Sequence, residues 1–120
     1  MAAGLRRGEI WDIQYPLAAR ENAEPYGHGP VVIVSSDAFN RSAIRTVMVA
    51  VLTSNLKLER APGNLLVPAD DSSGLGEDSV VNVSQVLVVD KSRLVRRRGR
   101  LDEAGVELLN VGLRQVFDLE

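Results

Sequence analysis

Residues 44–52 read Ile-Arg-Thr-Val-Met-Val-Ala-Val-Leu, and this apolar, β-branched stretch decides the fold class. A run of this composition and length is typical of a long strand buried in a sheet. Shorter stretches of the same kind recur about every ten residues along the first hundred positions, and turn residues separate them. The predicted strands cover residues 8–14, 31–34, 44–52, 65–67, 80–83, 86–89 and 94–98. Short strands at this spacing favour a small β-barrel or sandwich over parallel βαβ units.

The hydrophobic period changes from that of a strand to that of a helix near the C-terminus. Asp102 is a predicted N-cap, and Leu101 is placed to pack on Val106 as a hydrophobic staple. Apolar residues then follow at helical spacing, namely Val106, Leu109, Leu113, Val116 and Phe117. The sequence therefore predicts one amphipathic helix packed on the barrel.

The connections between strands carry turn chemistry. Pro62-Gly63 suits the centre of a type II turn, whose second central residue has a positive φ. Residues 72–76 read Ser-Ser-Gly-Leu-Gly and predict a second break. Residues 15–29 predict a long loop, and long loops in compact domains often carry function. Residues 1–5 are predicted to be frayed.

Composition limits the chemistry that the chain can perform. At 120 residues, with 45% hydrophobic and 25% charged residues, it predicts a single globular domain over residues 1–120. There is no cysteine and one histidine, so disulfides and Cys/His zinc sites are excluded, and we expect neither a metal nor a cofactor. Apolar runs are too short for a membrane helix, and charge stands where a signal peptide needs an apolar stretch, so we expect a cytoplasmic protein.

The basic residues are clustered, although the formal net charge is −2. The densest cluster contains Arg93, Arg96, Arg97, Arg98 and Arg100. Cations on an edge strand discourage aggregation between sheets, so we interpret this cluster as the solvated face of an edge strand.

Several segments, taken in order, resemble the MazF/PemK family of toxin endoribonucleases, the mRNA interferases of type II toxin–antitoxin systems. Residues 7–11 read Arg-Gly-Glu-Ile-Trp, and residues 27–35 read Gly-His-Gly-Pro-Val-Val-Ile-Val-Ser. Residues 51–56, Val-Leu-Thr-Ser-Asn-Leu, and residues 78–85, Asp-Ser-Val-Val-Asn-Val-Ser-Gln, agree as well. Further matching segments lie at residues 37–42, 61–64, 90–94 and 99–101. The resemblance covers nearly the whole chain, and it is the order and spacing of the segments that carry it.

The resemblance implies a mainly β fold, an SH3-like or CcdB-like small barrel with a C-terminal α-helix. It also implies a symmetric homodimer that binds single-stranded RNA, such as mRNA, on its paired surface. The RNA would be cut at a short recognition sequence without a metal. The extended C-terminal segment of a cognate antitoxin would occupy the same groove.

The resemblance places two catalytic side chains, and one of them is absent. The threonine of the Leu-Thr-Ser block is present as Thr53, whereas Gly29 stands where the family has an arginine directly before Pro30. Glycine offers a phosphate only a backbone N–H in place of a planar fork of charged donors. We therefore expect the chain to be inactive or nearly so. The gene is either naturally degenerate or was altered so that a toxic nuclease could be produced, and the intact remaining motifs favour deliberate alteration.

Other candidate site residues have an ordinary structural interpretation beside the functional one. His28 is either a possible proton-transfer group or a loop histidine bonded to backbone. Glu24 and Tyr26 lie in the predicted loop, where they could accept from a base or stack on it. Polar strand and turn residues that could bind RNA are Ser54, Asn55, Lys57, Asn82, Ser84 and Gln85.

Two further function classes stay open on the sequence. One is a non-enzymatic, CcdB-like poison of DNA gyrase, and the other is a binding module that titrates an antitoxin after losing catalysis. Thr53, Ser54 and the loop that contains Glu24 favour RNA. The RNA recognition sequence, the antitoxin and the dimer interface cannot be read from the chain.

Overall fold

The computed structural model of the protein describes residues 4–16 and 26–120, apart from the side chains of residues 15–16 and 26–28. Its strands are β1 (Glu9–Pro16), β2 (Tyr26–Ile33), β3 (Thr46–Thr53), β4 (Leu65–Val67), β5 (Ser79–Asp90) and β6 (Leu94–Arg100). Helix α1 (Asp37–Arg41) lies between β2 and β3, and helix α2 (Glu103–Phe117) follows β6. Two 3-10 turns, Leu56–Arg60 and Lys91–Arg93, complete the order.

The six strands form one antiparallel sheet in the order β4-β5-β3-β2-β1-β6. The register pairs Ile13 with Gly29 and Asp12 with Pro30 across β1 and β2. Thr53, at the end of β3, pairs with Val80 of β5. The mainly β architecture with a C-terminal helix that the sequence predicts is confirmed.

Both faces of residues 31–33 in β2 are buried, which explains the continuous apolar composition of this segment. In β2, Val32 packs into one core cluster, with Ile10, Leu52 and Leu109. Its neighbours Val31 and Ile33 pack into a second cluster on the opposite face. Successive strand residues point to opposite faces, so a strand between two cores must be apolar at every position.

The connection between β4 and β5 closes the fold against the edge strand β6. The backbone N–H of Arg100 donates to the carbonyl of Ser72 at 2.9 Å. The Nε of Arg98 donates to the carbonyl of Gly74 at 3.0 Å, and Gly74 adopts the positive φ of 69° that glycine tolerates. Leu75 of this connection is buried in the first core cluster. These contacts give the sheet its barrel-like closure.

Helix α2 begins and packs as predicted but ends with an exposed face. The side chain of Asp102 accepts from the N–H of Gly105 at 2.7 Å, and Leu101 is buried where Val106 packs. Leu109 is fully buried and Leu113 is partly buried. Val116 and Phe117, which were predicted to face the core, are 41% and 54% exposed. The prediction that these two side chains face the core is therefore wrong.

The structure corrects several predicted boundaries. The loop predicted over residues 15–29 is shorter, because β1 continues to Pro16 and β2 starts at Tyr26. The two strands predicted at 80–83 and 86–89 are one strand, β5, whose pairing shifts between Ala50 and Val51. Ser84 and Gln85 interrupt the apolar run without ending the strand, because an irregularity in the ladder accommodates them.

Predictions for three further segments are wrong or incomplete. Leu5, placed in the frayed segment, is buried in the second core cluster. Ile44 lies outside β3 and is 48% exposed. Helix α1 was not predicted; its Asn40 is fully buried and donates to the carbonyl of Ser35 at 3.0 Å. The turn at Pro62-Gly63 is confirmed, with a φ of 82° at Gly63 and a bond from Asn64 N–H to the Ala61 carbonyl.

Four of the five arginines of the cluster lie on β6, which is an edge strand as predicted, and Arg93 lies in the 3-10 turn before it. The cluster is not simply solvated. Arg97 forms a salt bridge with Glu9 at 3.0 Å. Arg96 and Arg98 both bind Asp12, at 3.4 Å and 3.2 Å. Since β1 is the neighbour of β6, its carboxylates neutralise part of the cluster across the two strands.

Candidate functional site

A cavity of about 430 Å³ lies where the first core cluster ends. Its walls come from the middle of β2, the end of β3, the start of β5, strand β6 and the connection before β5. The lining residues are Gly29, Pro30, Leu52, Thr53, Ser54, Leu75, Gly76, Glu77, Ser79 and Arg98. We call it the Gly29–Thr53 cavity. The sheet brings together in this cavity the two positions at which the family resemblance places catalytic side chains.

The hydroxyl oxygen of Thr53 already accepts a hydrogen bond. The backbone N–H of Asn55 donates to Thr53 Oγ1 at 3.2 Å. Within the described part of the chain, the Thr53 O–H donates no hydrogen bond. The hydroxyl proton is therefore available to an anionic ligand, such as a phosphate oxygen.

Gly29 lies within a strand and not in a loop. It pairs with Ile13 of β1, and Pro30 follows it opposite Asp12. Antiparallel strand backbone accepts any L-residue, so the backbone at this position does not require glycine. An arginine would fit the backbone here, and its absence leaves the cavity without a cation at this point.

Arg98 is the cation that the cavity contains among its lining residues. Its Nη1 lies 3.2 Å from Oδ1 and 3.3 Å from Oδ2 of Asp12, and its side chain is 23% exposed. Glu77, on the opposing connection, is an exposed carboxylate in the same lining. The cavity thus combines a hydroxyl, a held guanidinium and a solvated carboxylate.

A second cavity of about 240 Å³ shares Gly29, Pro30 and Leu52 with the first. Gln85 lines it, so this predicted residue lies next to the Gly29–Thr53 cavity. Asn82 Nδ2 donates to Gln85 Oε1 at 3.0 Å, and Ser84 Oγ donates to Asn82 Oδ1 at 2.7 Å. The irregular part of β5 therefore holds these three predicted side chains together as one polar group.

The predicted residues beyond Thr53 separate into two sets. Ser54 lines the Gly29–Thr53 cavity. Asn55 and Lys57 are exposed and do not line it. Asn55 instead begins the 3-10 turn, where its Oδ1 accepts from the N–H of Lys57 at 3.3 Å. Its ordinary structural interpretation as a capping residue is thus realised in the folded chain.

Three predicted residues cannot be assigned a place in the site. Glu24 lies outside the described residues, and so do the side chains of Tyr26 and His28. The backbone of Tyr26 and His28 belongs to β2, where His28 pairs with Gln14. The description of His28 as a loop residue is therefore wrong.

Arg98, Glu77 and Ser79 were not singled out by the sequence analysis. Arg98 is one of five arginines between positions 93 and 100, and nothing in the spacing distinguishes it from its neighbours. Glu77 follows a turn and has the sequence context of a solvated charge. Only the folding of the connection onto β6 brings these residues to the cavity.

A larger cavity, about 620 Å³, lies elsewhere, between the N-terminal segment and the start of α2. Arginines and carboxylates alternate around it, including Arg7, Asp37, Arg97 and Glu107. Burial lowers the pKa of Arg7 below its ordinary value, and the carboxylate of Asp37 opposes that change. None of the predicted functional residues whose side chains are described lines this cavity.

Among the described residues, no helix has the length and apolar content needed to cross a membrane.

Comparison with known proteins identifies relatives along nearly the whole chain. Residues 6–117 match the family described as PemK-like, MazF-like toxin of type II toxin-antitoxin system. Endoribonuclease MazF2 of Mycobacterium bovis is 37% identical over 115 residues, covering 96% of this chain and 98% of the relative.

Solved structures of similar proteins share the fold. An endoribonuclease in complex with its cognate antitoxin, from a mycobacterial species, superposes with a TM-score of 0.76 at 21% identity and covers 98% of both chains. A MazE-MazF structure from Deinococcus radiodurans superposes with a TM-score of 0.75 at 16% identity and covers 97% of both chains.

Proposed function

Because the chain belongs to the PemK-like, MazF-like family of toxins of type II toxin–antitoxin systems, we propose that it is a toxin of the endoribonuclease type. Its substrate is single-stranded RNA, which binds with a phosphate in the Gly29–Thr53 cavity. The observation that supports this assignment is that Gly29 and Thr53, distant in sequence, line one cavity.

The chemistry available to this site is an intramolecular transfer of the phosphoryl group from the 5′-oxygen of one nucleotide to the 2′-oxygen of its neighbour in the RNA. The 2′-hydroxyl oxygen attacks the adjacent phosphorus, the bond from phosphorus to the 5′-oxygen breaks, and a 2′,3′-cyclic phosphate and a 5′-hydroxyl result. The proton of the 2′-hydroxyl must leave, and the departing 5′-oxygen must gain one. Thr53 can donate its hydroxyl proton in a hydrogen bond to a phosphate oxygen, where negative charge develops.

Gly29 makes this chain a weak catalyst in our proposal. An arginine at that position would point a fixed positive charge at the reacting phosphate, and glycine supplies none. Loss of one donor to a transition state costs on the order of 10²–10³ in rate. The native chain therefore binds RNA in this cavity but cleaves it slowly.

The proposed partners follow from the family and from solved relatives. The structures of the mycobacterial endoribonuclease and of the Deinococcus radiodurans protein each contain an antitoxin. We propose that the present chain also has a cognate antitoxin, and that an extended segment of this antitoxin competes with RNA for the groove. We also propose that the chain works as a homodimer.

Restoring the arginine tests the assignment. The variant Gly29→Arg should cleave single-stranded RNA about 10²–10³ times faster than the native chain in the presence of EDTA. Gly29→Ala is the matched control, because it adds a side chain without charge and should stay at the native rate. The double variant Gly29→Arg/Thr53→Ala should lose most of the gain.

Four outcomes would contradict the proposal. Gly29→Arg could leave cleavage at background, or the native chain could already cut RNA as fast as the variant. The protein could also inhibit DNA supercoiling by gyrase while leaving RNA intact in every variant, which would assign it to the gyrase-poison class. Tight binding of an antitoxin together with no cleavage in any variant would instead indicate a titrating module.

A further inference from the structure

The Gly29–Thr53 cavity contains one charged group suited to an anion, and the family resemblance does not predict it. Arg98 and Glu77 are the charged side chains of the described lining, and Arg98 is its cation. A phosphate that enters the cavity next to Thr53 therefore meets a single guanidinium. This group stands on β6, whereas the family arginine precedes the proline of β2.

The guanidinium of Arg98 is held in place before any ligand arrives. Its Nε donates to the carbonyl of Gly74 at 3.0 Å, and its Nη1 lies within 3.3 Å of both carboxylate oxygens of Asp12. Within the described chain, its Nη2 makes no hydrogen bond. A fixed guanidinium with an unused Nη2 group binds an anion without first losing rotamer freedom.

The charge of Arg98 is not cancelled by its partner. Asp12 also accepts from Arg96, whose Nη2 lies 3.4 Å from Oδ2. Two guanidinium groups share one carboxylate, so the group of three side chains keeps a net positive charge. The carboxylate of Glu77 also lines the cavity, but it is exposed and solvated, so it offsets this charge less than a buried carboxylate would.

We propose that Arg98 is a phosphate-binding residue of the Gly29–Thr53 cavity and holds an RNA phosphate beside Thr53, where the chain lacks a cation at Gly29. The unused Nη2 group carries two N–H donors whose direction is set by the bound guanidinium plane, which a flexible lysine ammonium does not offer. Asp12 and Gly74 act as positioning groups that set this plane. The inference rests on the proposed function, since it names the residue that binds the substrate of that site.

Binding of RNA that cannot be cut tests the role of Arg98 apart from catalysis. The probe is a fluorescent, random-sequence single-stranded oligonucleotide with 2′-O-methyl groups, titrated with the full-length protein at several salt concentrations. Arg98→Gln should weaken binding about tenfold and lower the slope of log affinity against log salt by about 0.7, the value for one phosphate contact on a single strand.

Arg96→Gln is the matched control, because it removes the same charge from the same carboxylate. Arg96 is 66% exposed and does not line the cavity, so the loss of affinity should be less than about twofold. Equal losses in the two variants, or no loss in either, would overturn the proposal, since only general attraction would then remain.

Arg98→Lys covers the case in which Arg98→Gln fails to fold. The lysine variant keeps the charge and should keep the salt slope, yet lose affinity because its ammonium cannot bind Gly74 and Asp12 and present an oriented donor to the phosphate at the same time. An affinity equal to that of the native chain would overturn the role of the fixed guanidinium, and a slope lower by about 0.7 would overturn the charge contact.

The variants also separate this inference from the proposed function. If Gly29→Arg cleaves RNA while Arg98→Gln binds the probe like Arg96→Gln, only the role of Arg98 fails. If no variant, including Gly29→Arg, binds the probe, the RNA assignment itself fails. In the Gly29→Arg background the loss from Arg98→Gln should shrink, because a second guanidinium then serves the same phosphate.

Discussion

The backbone N–H of Arg100 donates to the carbonyl of Ser72 at 2.9 Å, and this bond fixes one wall of the Gly29–Thr53 cavity to the edge strand β6. The next residues along the connection, Leu75, Gly76 and Glu77, line the cavity. Gly99, the residue before Arg100 on β6, lies against the backbone of Ser72 and Ser73 in the connection. The position of the cavity wall therefore depends on a close approach of two backbones.

Gly99→Ala should displace this wall. A Cβ at Gly99 would overlap the carbonyl oxygens of Ser72 and Ser73, and backbone cannot move aside as a flexible side chain does. We expect a loss of stability of about 1–3 kcal/mol, typical of overpacking, together with weaker RNA binding. Gly76→Ala is the control in the same connection, since a Cβ there has open space. Urea midpoints and RNA titrations measure both effects, and equal behaviour of the two variants would contradict the argument.

Gly112→Ala should destabilise the fold although alanine favours helix. Alanine in a helix interior gains about 1 kcal/mol over glycine. A Cβ at Gly112, however, would overlap the carbonyl oxygen of Gly63 in the turn before β4. We expect a net loss of about 1–3 kcal/mol by chemical denaturation. A gain in stability would show that α2 does not need this contact.

Glu9 should stabilise the fold as an acceptor more than as a charge. It is 6% exposed, and its Oε1 accepts from the backbone N–H of Arg6 and the indole N–H of Trp11 at 3.0 and 3.1 Å. Glu9→Ala leaves both donors unpaired and should cost about 1–3 kcal/mol. Glu9→Gln keeps an acceptor oxygen and should cost less. Equal unfolding free energies for the two variants would contradict this division.

Asp102→Ala should weaken the start of α2. The carboxylate accepts from the N–H of Gly105 at 2.7 Å, and loss of such a cap costs about 1 kcal/mol. Asp102→Asn keeps an accepting oxygen and should retain most of the stability. The exposed neighbour Glu103 provides a surface control as Glu103→Ala. The prediction fails if Asp102→Ala unfolds at the same urea concentration as that control.

Asp90 should make a contribution to stability that acid removes. The backbone N–H of Ser92, and then its hydroxyl, lower the pKa of the Asp90 carboxyl, and Arg45 adds a smaller effect. Because the folded pKa is lowered, the contribution is complete above the unfolded pKa of about 4 and is lost as the pH falls through the folded value. The difference in urea midpoint between the native chain and Asp90→Asn should be larger at neutral pH than at pH values below this range. A difference that is independent of pH would exclude the effect.

Local sequence signals predicted much of the fold. The helix start at Asp102, its packing on Leu101 and the turn at Pro62-Gly63 depend on neighbouring residues, so they could be read directly. The exposed end of α2 at Phe117 and the continuity of β5 could not, because burial and ladder irregularities depend on what lies across space. The candidate site divides in the same way: Thr53 and Gly29 were found in the sequence, and Arg98 was not.

Short-range patterns were enough to predict a mainly β protein with a C-terminal helix, because alternation, turn residues and capping act over a few positions. The order of motifs that resembles a family of toxins, and the absence of an arginine before Pro30, are likewise visible in the chain. That Gly29, Thr53 and Arg98 line one cavity is visible only in the folded protein. The physical reason is that strand pairing and the docking of the connection on β6 bring together residues that are distant along the chain. No local pattern in the sequence indicates which of several similar arginines then lines the cavity.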